Sequence, residues 1–160
     1  MRPGVESEAI QDGWPEYGTH CWGCGRNNER GLRIKSHWDG EETVCSWQPE
    51  EYHLAFPGSL NGGIIATLID CHCLNTAHAA AFRARGRQQG TEPLFAYVTG
   101  SLSVKYIRPT PIDRPVVLRA RVKEMTERKT VVACSLFSDG LECASGEVVA
   151  VKLDLGRSQD

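Results

Sequence analysis

FPGSLNGGIIATLIDCHCLNTAHAAAFRARG, residues 56–86, decides how the rest of the chain can fold. Pro57 and Gly58 interrupt whatever precedes them. Asn61 suits an N-cap, because its side-chain oxygen can accept from the free N–H groups of a first helical turn. Gly86 suits a stop, since helices often end on a glycine in the left-handed region. Between them the spacing predicts a helix of roughly 24 residues, about 36 Å long. Its middle, residues 64–82, is apolar or small almost all round: Ile64, Leu68 and Ala79 lie opposite Ala66, Leu74 and Ala77. A helix apolar on every side is buried on every side. Burial in a bilayer is excluded by Asp70, His72, Asn75 and His78, since polar groups at that depth are costly. The helix is therefore expected inside a sheet of the same domain.

Asp70 is the most informative residue on it. At about 100° per residue it shares a face with Gly63, Ala66, Leu74, Ala77 and Ala81, a stripe of small and apolar groups. Burial there raises a carboxyl pKa. His72, two positions on, points away from that face. The same helix opens with Asn61-Gly62-Gly63, and bare backbone N–H groups at a helix start favour an anion or a polarised oxygen. A carboxylate and an oxyanion site on one helix outline a catalytic pair.

The remaining chain supplies the sheet. His20-Cys21-Trp22-Gly23-Cys24-Gly25 contains a Cys-x-x-Cys that is read as a structural knuckle. No second Cys-x-x-Cys completes a zinc set, and His20, His37, His53 and Cys45 would do so only by chance of folding, so no metal is expected. A hairpin follows, with a strand over 31–36, a turn at Asp39-Gly40 and a return over 43–47. Residues 49–59 form a loop carrying Tyr52, His53 and Phe56. Arg83, Arg85 and Arg87 match the negative end of the helix. Strands are then expected over 94–107, 116–123, 131–137 and 147–153, with turns at 126–129 and 138–140. The order β-β-α-β-β-β-β defines an α+β fold: one long central helix wrapped by a curved, mostly antiparallel sheet. Exposed sheet edges invite a second copy, and such oligomers are mostly symmetric dimers or dimers of dimers.

The 160 residues make one domain, expected over 14–155, with flexible tails at 1–13 and 156–160. A net charge of −2, with both signs interspersed, gives no attraction to nucleic acid or anionic membranes. No signal peptide is visible at the start, and the seven cysteines are expected to be free thiols in a reducing cytoplasm.

From Cys21 to Leu153 the chain resembles the hot-dog-fold thioesterases, in particular the PaaI-like branch. The resemblance rests on Cys-x-x-Cys-Gly followed by Gly31-Leu32, on Phe56-Pro57-Gly58, on the run from Asn61-Gly62-Gly63 to Asp70, and on Tyr106-Ile107-Arg108-Pro109. It implies hydrolysis of an acyl-CoA thioester by a homodimer or homotetramer, with no cofactor. Asp70 would be general base or nucleophile, the Gly62 N–H would polarise the carbonyl, and Thr99 would assist across the dimer interface. The family usually has His where Asn61 stands. Asn61 can cap and donate but cannot carry a proton, which makes a non-catalytic acyl-CoA or apolar-ligand binding protein the alternative. A structural subunit of a larger assembly is a third class. No Asp-x4-His spacing of the hot-dog hydratase kind is present. The acyl chain would pass Ile65 and Leu68. CoA phosphates need cations, for which Arg108, Arg128 and Lys129 are placed at a strand end and a turn. Gly63, with His53 and Phe56 from the loop ahead of the helix, completes the expected substrate contacts.

Overall fold

The computed structural model describes residues 4–156. A helix, α1 (Gly62–Ala84), lies in the hollow of a curved six-stranded antiparallel sheet. The strands are β1 (Ser36–Asp39), β2 (Glu42–Trp47), β3 (Leu94–Tyr106), β4 (Val116–Met125), β5 (Lys129–Ser138) and β6 (Leu141–Gly156). Their spatial order is β1-β2-β4-β5-β6-β3, so β1 and β3 are the two edges. The helix packs on β3, β4, β5 and β6. None of the described helices is long and apolar enough to cross a membrane.

The expected helix ends are those observed. Asn61 is the N-cap, its Oδ1 accepting from the Gly63 and Ile64 N–H groups at 2.8 and 3.1 Å. Gly86 follows the C-terminus at φ 62°, where a side chain would be strained. Leu68, Ile69 and Phe82 from α1 meet Leu118, Val132, Leu136 and Val148 from the sheet, all fully buried. Burying each such side chain contributes about 1.5–3 kcal/mol. Two polar residues of the helix find partners: His72 meets Ser36 and Thr43, and Asn75 accepts from the Trp14 indole at 2.6 Å.

Three expectations are corrected. Residues 31–35 are not a ladder strand, because Arg33 takes φ 53° and breaks the extended run. The Leu32 and Ile34 amides instead donate to the carbonyls of Trp22 and Gly23, tying this segment to the Cys-x-x-Cys turn. The N-terminal segment, expected to be a loose tail, packs on the domain from Val5 onward, and Ile10 and Gln11 are buried. Residues 1–3 and 157–160 of the expected tails lie outside the described residues. β6 starts at Leu141, well before residue 147, because Asp139 and Gly140 both take positive φ and make a two-residue hairpin.

Along β3, strict alternation would put Thr99 on the opposite face from Leu102, Val104 and Tyr106. A bulge between Thr99 and Ser101 reverses the parity. Thr99 and Tyr106 both turn to the helix, where they bond Asp70 and Gly62. A side chain at Gly100 would come within 2.7 Å of Val151, so glycine permits the bulge.

Candidate active site

Two features of α1 face the open side of the molecule. One is Asp70, half-buried at the middle of the helix. The Thr99 hydroxyl donates to its Oδ1 at 2.7 Å. Burial raises the Asp70 carboxyl above its ordinary range, the bond from Thr99 pulls it back, and the Cys21 sulfur nearby raises it further. Thr99 was expected to act across an interface, but it reaches the Asp70 of its own chain. It does so because the Gly100 bulge turns it toward the helix.

The other feature is the start of the helix. Asn61 hydrogen-bonds the N–H groups of Gly63 and Ile64, and Ile65 N–H donates to the Asn61 carbonyl. Among the described residues the Gly62 N–H is the one first-turn donor left without a bond of this kind. Tyr106 donates its hydroxyl to the Gly62 carbonyl at 2.6 Å and closes one side of a cleft of about 360 Å³. Leu60, Ile65, Arg108 and Thr110 line the rest. The Thr110 hydroxyl is buried there without a partner among the described residues, and sequence reasoning missed this cleft residue because an isolated threonine carries no spacing signal.

Asp70 and Gly62 are eight residues apart on one helix. That is about 12 Å at 1.5 Å per residue. A reacting carbonyl must lie about 3 Å from both nucleophile and oxyanion donor. Within one chain the two groups therefore cannot serve the same carbonyl. This corrects the sequence expectation that they pair at nearby levels of one helix.

The expected substrate contacts divide. Arg108 borders the cleft, and Gly63 is exposed beside it. Phe56 is 80% exposed on the preceding loop. His53 is buried and committed to that loop: its Nδ1 accepts from the Glu50 N–H, its ring packs on Trp47, and its carbonyl accepts from the Asn61 N–H. Its part is to set the cap. Leu68 is fully buried in the core and cannot line an acyl path, whereas Ile65 does reach the cleft. Arg128 and Lys129 sit on the β4–β5 turn. Lys129 pairs with Val151, which pairs with Val98, so they lie level with the far end of β3 from Arg108. Nine or ten residues of strand, about 30 Å, separate these levels. One chain does not gather the three cations.

The Cys-x-x-Cys turn, expected as a structural knuckle, also meets the helix. Cys71, one residue beyond Asp70, brings a third sulfur to Cys21 and Cys24. Hydrogen bonds from the Cys24 and Cys71 thiols, with backbone N–H groups of Cys24 and Gly23, hold the Cys21 thiol far below its ordinary range. The same sharing pushes Cys24 and Cys71 up. A larger hollow, about 550 Å³, lies elsewhere, on the outer face of the sheet between Lys105, Arg119, Ser135 and Glu147. It holds neither Asp70 nor the helix start, and its charges are largely paired, Arg119 with Asp39 and Glu42.

A long helix in the grasp of a curved antiparallel sheet, with a carboxylate and an open N-terminus turned to one edge, is the hot-dog architecture. The profile of the Thioesterase superfamily matches residues 57–144, more than half of the chain, and the chain belongs to that family. It is 29% identical over 122 residues to the acyl-coenzyme A thioesterase THEM4 of Bos taurus, covering 75% of this chain and 45% of that one. The chain thus spans less than half the length of the curated relatives it matches. A solved thioesterase superfamily protein of Shewanella loihica PV-4 is 42% identical, with TM-score 0.61 over 75% of this chain and 90% of that one. The PaaI protein of E. coli, from the phenylacetic acid degradation operon, shares the fold at 16% identity and TM-score 0.62, covering 76% of this chain and 80% of that one.

Proposed function

We propose that this chain is an acyl-CoA thioesterase that acts as a homodimer, each site being built from both copies. Asp70 of one copy, held by its own Thr99, takes a proton from water or attacks the thioester carbonyl itself. The Gly62 N–H of the other copy, at the positive end of its helix, receives the oxyanion. When water is the nucleophile, collapse of the tetrahedral intermediate expels the CoA thiolate, which recovers the proton held by Asp70. When Asp70 attacks, collapse expels the thiolate and leaves an acyl–Asp70 anhydride that water then hydrolyses to the acid and free carboxylate, its proton going to the thiolate. The observation that carries this reading is the separation of Asp70 from Gly62 on one helix, together with the bare edge of β3 beside Asp70. Family membership and the acyl-coenzyme A thioesterases among the relatives support the substrate class. Antiparallel pairing of two β3 edges would also set the Arg108 end of one copy against the Arg128 and Lys129 end of the other. Asn61 serves as the cap, so the proton work stays with Asp70.

The test uses a panel of acyl-CoA esters with free CoA thiol as the readout. Two variants disable opposite halves of the site. Asp70→Asn removes the base. Gly62→Pro removes the N–H at the first helical position, where proline is accommodated, and Asn61 already has the extended backbone that proline requires of its predecessor. The loss of one oxyanion donor lowers kcat about 10²–10³-fold. When the two inactive variants are unfolded and refolded together, half of the dimers carry one intact composite site, so about a quarter of the parent activity returns. A site contained within one chain would recover nothing. Retention of acyl-CoA without thiol release by the parent protein would identify a binding protein instead.

A further inference from the structure

We propose that Cys21, Cys24 and Cys71 form a zinc site that fastens the N-terminal turn to the helix segment bearing Asp70. The three sulfurs all lie within 4.8 Å of one another, and those of Cys21 and Cys71 are 3.8 Å apart. Zinc–sulfur bonds of about 2.3 Å in a tetrahedron set neighbouring sulfurs about 3.8 Å apart. The ligand set joins positions distant in sequence, two on a loop and one on α1, as a metal that fastens a loop to a helix requires.

The loop is shaped to bring its sulfurs there. The Gly25 N–H donates to the Cys21 carbonyl at 2.8 Å and closes the turn. A Cβ at position 23 would stand 2.4 Å from the Cys71 sulfur, so glycine there lets the loop close onto the helix. The other four cysteines, Cys45, Cys73, Cys134 and Cys143, are buried in the core and make no comparable group of three. Among the described residues no further His, Cys, Asp or Glu joins the trio. The fourth position therefore falls to water or an added ligand on the side of Cys21, which is exposed. This reading does not depend on the thioesterase activity, since it rests on sulfur geometry alone.

The experiment is cobalt(II) titration of the full chain, reduced and freed of metal, followed by back-titration with zinc. Sulfur-to-cobalt charge-transfer absorption should reach saturation at one equivalent per chain, with an intensity matching three thiolates, and zinc should abolish it. Zinc should also raise the melting temperature, because it binds the folded state. Cys21→Ser and Cys24→Ser should lower the band and weaken binding by more than the 10–100-fold that loss of an outer partner costs. Cys71→Ser should do the same where circular dichroism shows it folded, and Cys143→Ser should bind like the parent. Cys21 is exposed, so its variant keeps the test independent of folding. A folded, reduced parent that takes up no stoichiometric cobalt or zinc would overturn the proposal. So would Cys21→Ser and Cys24→Ser variants that bind as tightly as the parent.

Discussion

The two edges of the sheet are treated in opposite ways. β1 is four residues long, and the chain's own N-terminal segment covers it. Val5 bridges Asp39, the Glu6 N–H donates to the Trp38 carbonyl at 2.8 Å, and Arg83 lies over the Trp38 ring. β3 is thirteen residues long, pairs on one side only, and exposes Val98, Leu102 and Tyr106. A long, bare, apolar edge is a hazard that folded proteins cover, shorten or charge. Here one edge is covered and the other is left open, at the strand that holds Thr99 against Asp70. The difference teaches where the proposed second copy would pair: the open edge lies beside Asp70, whose own Gly62 is out of reach along the helix.

Breaking the open side should give the largest effects. Asp70→Asn retains an oxygen to accept from Thr99 and loses only the proton acceptor, so kcat should fall about 10²–10⁴-fold with KM little changed. Its melting temperature should equal or exceed the parent's, because a half-buried carboxylate becomes neutral. A variant that melts early while its folded fraction turns over at the parent rate would make Asp70 scaffolding. Next, Leu102→Lys places a charge on the bare edge. It should weaken self-association about 100-fold, as loss of a central interface residue does, and activity should fall with the dimer. Sedimentation velocity across concentrations, beside kcat, checks this. A fully active monomer would defeat the composite site.

The covered edge should respond in stability and not in turnover. Gln11 is buried and exchanges two bonds with Ser36: its Nε2 donates to the serine hydroxyl at 3.0 Å, and its Oε1 accepts from the serine N–H at 2.8 Å. Gln11→Ala leaves that N–H without a partner and should cost about 1–3 kcal/mol in urea unfolding. The kcat of the folded fraction should stay at the parent value.

How much of this was legible in the sequence follows the range of each signal. The helix and its cap rest on local periodicity and hydrogen bonding, and residues 61–86 read correctly. The succession of strands along the chain followed from alternation and turn residues, while their neighbours in the sheet did not. The bulge at Gly100 did not, because a lone glycine within a strand pattern does not announce which face it reverses. Without the bulge, the contact of Thr99 with Asp70 in its own chain is invisible. Cys71 was hidden for a different reason. Its place beside Cys21 and Cys24 is set by packing fifty residues apart, and no spacing motif records it. The N-terminal segment looked like a tail because it lacks apolar periodicity. It is held by single residues, Ile10, Gln11 and Trp14, each against a separate part of the domain. In the proposed site the oxyanion donor facing Asp70 comes from a second copy, which the sequence of one chain does not place, since helix rise alone puts its own Gly62 out of reach.

The smallest effect sharpens the same comparison through pH. His78 is fully buried on α1, stacked at 3.8 Å on Trp14 of the covering segment and flanked by Phe82 and Phe95. Among the described residues neither ring nitrogen has a hydrogen-bond partner. Burial therefore lowers its pKa from 6.5 to about 3, and the folded protein holds it neutral. The unfolded chain binds a proton there below pH 6.5 and the folded chain does not. The stability this group allows is thus complete above pH 6.5 and is lost as pH falls toward 3. The slope for one proton is about 1.4 kcal/mol per pH unit. His78→Phe keeps an aromatic ring against Trp14 and removes both unpaired nitrogens. At neutral pH the variant should be as stable as the parent or slightly more so. Between pH 6 and 4 its stability should fall less steeply than the parent's by up to that one-proton slope. Urea unfolding of both proteins across this range measures the difference directly. Equal slopes would mean that His78 titrates normally in the folded state, and that the covering segment leaves it open to water.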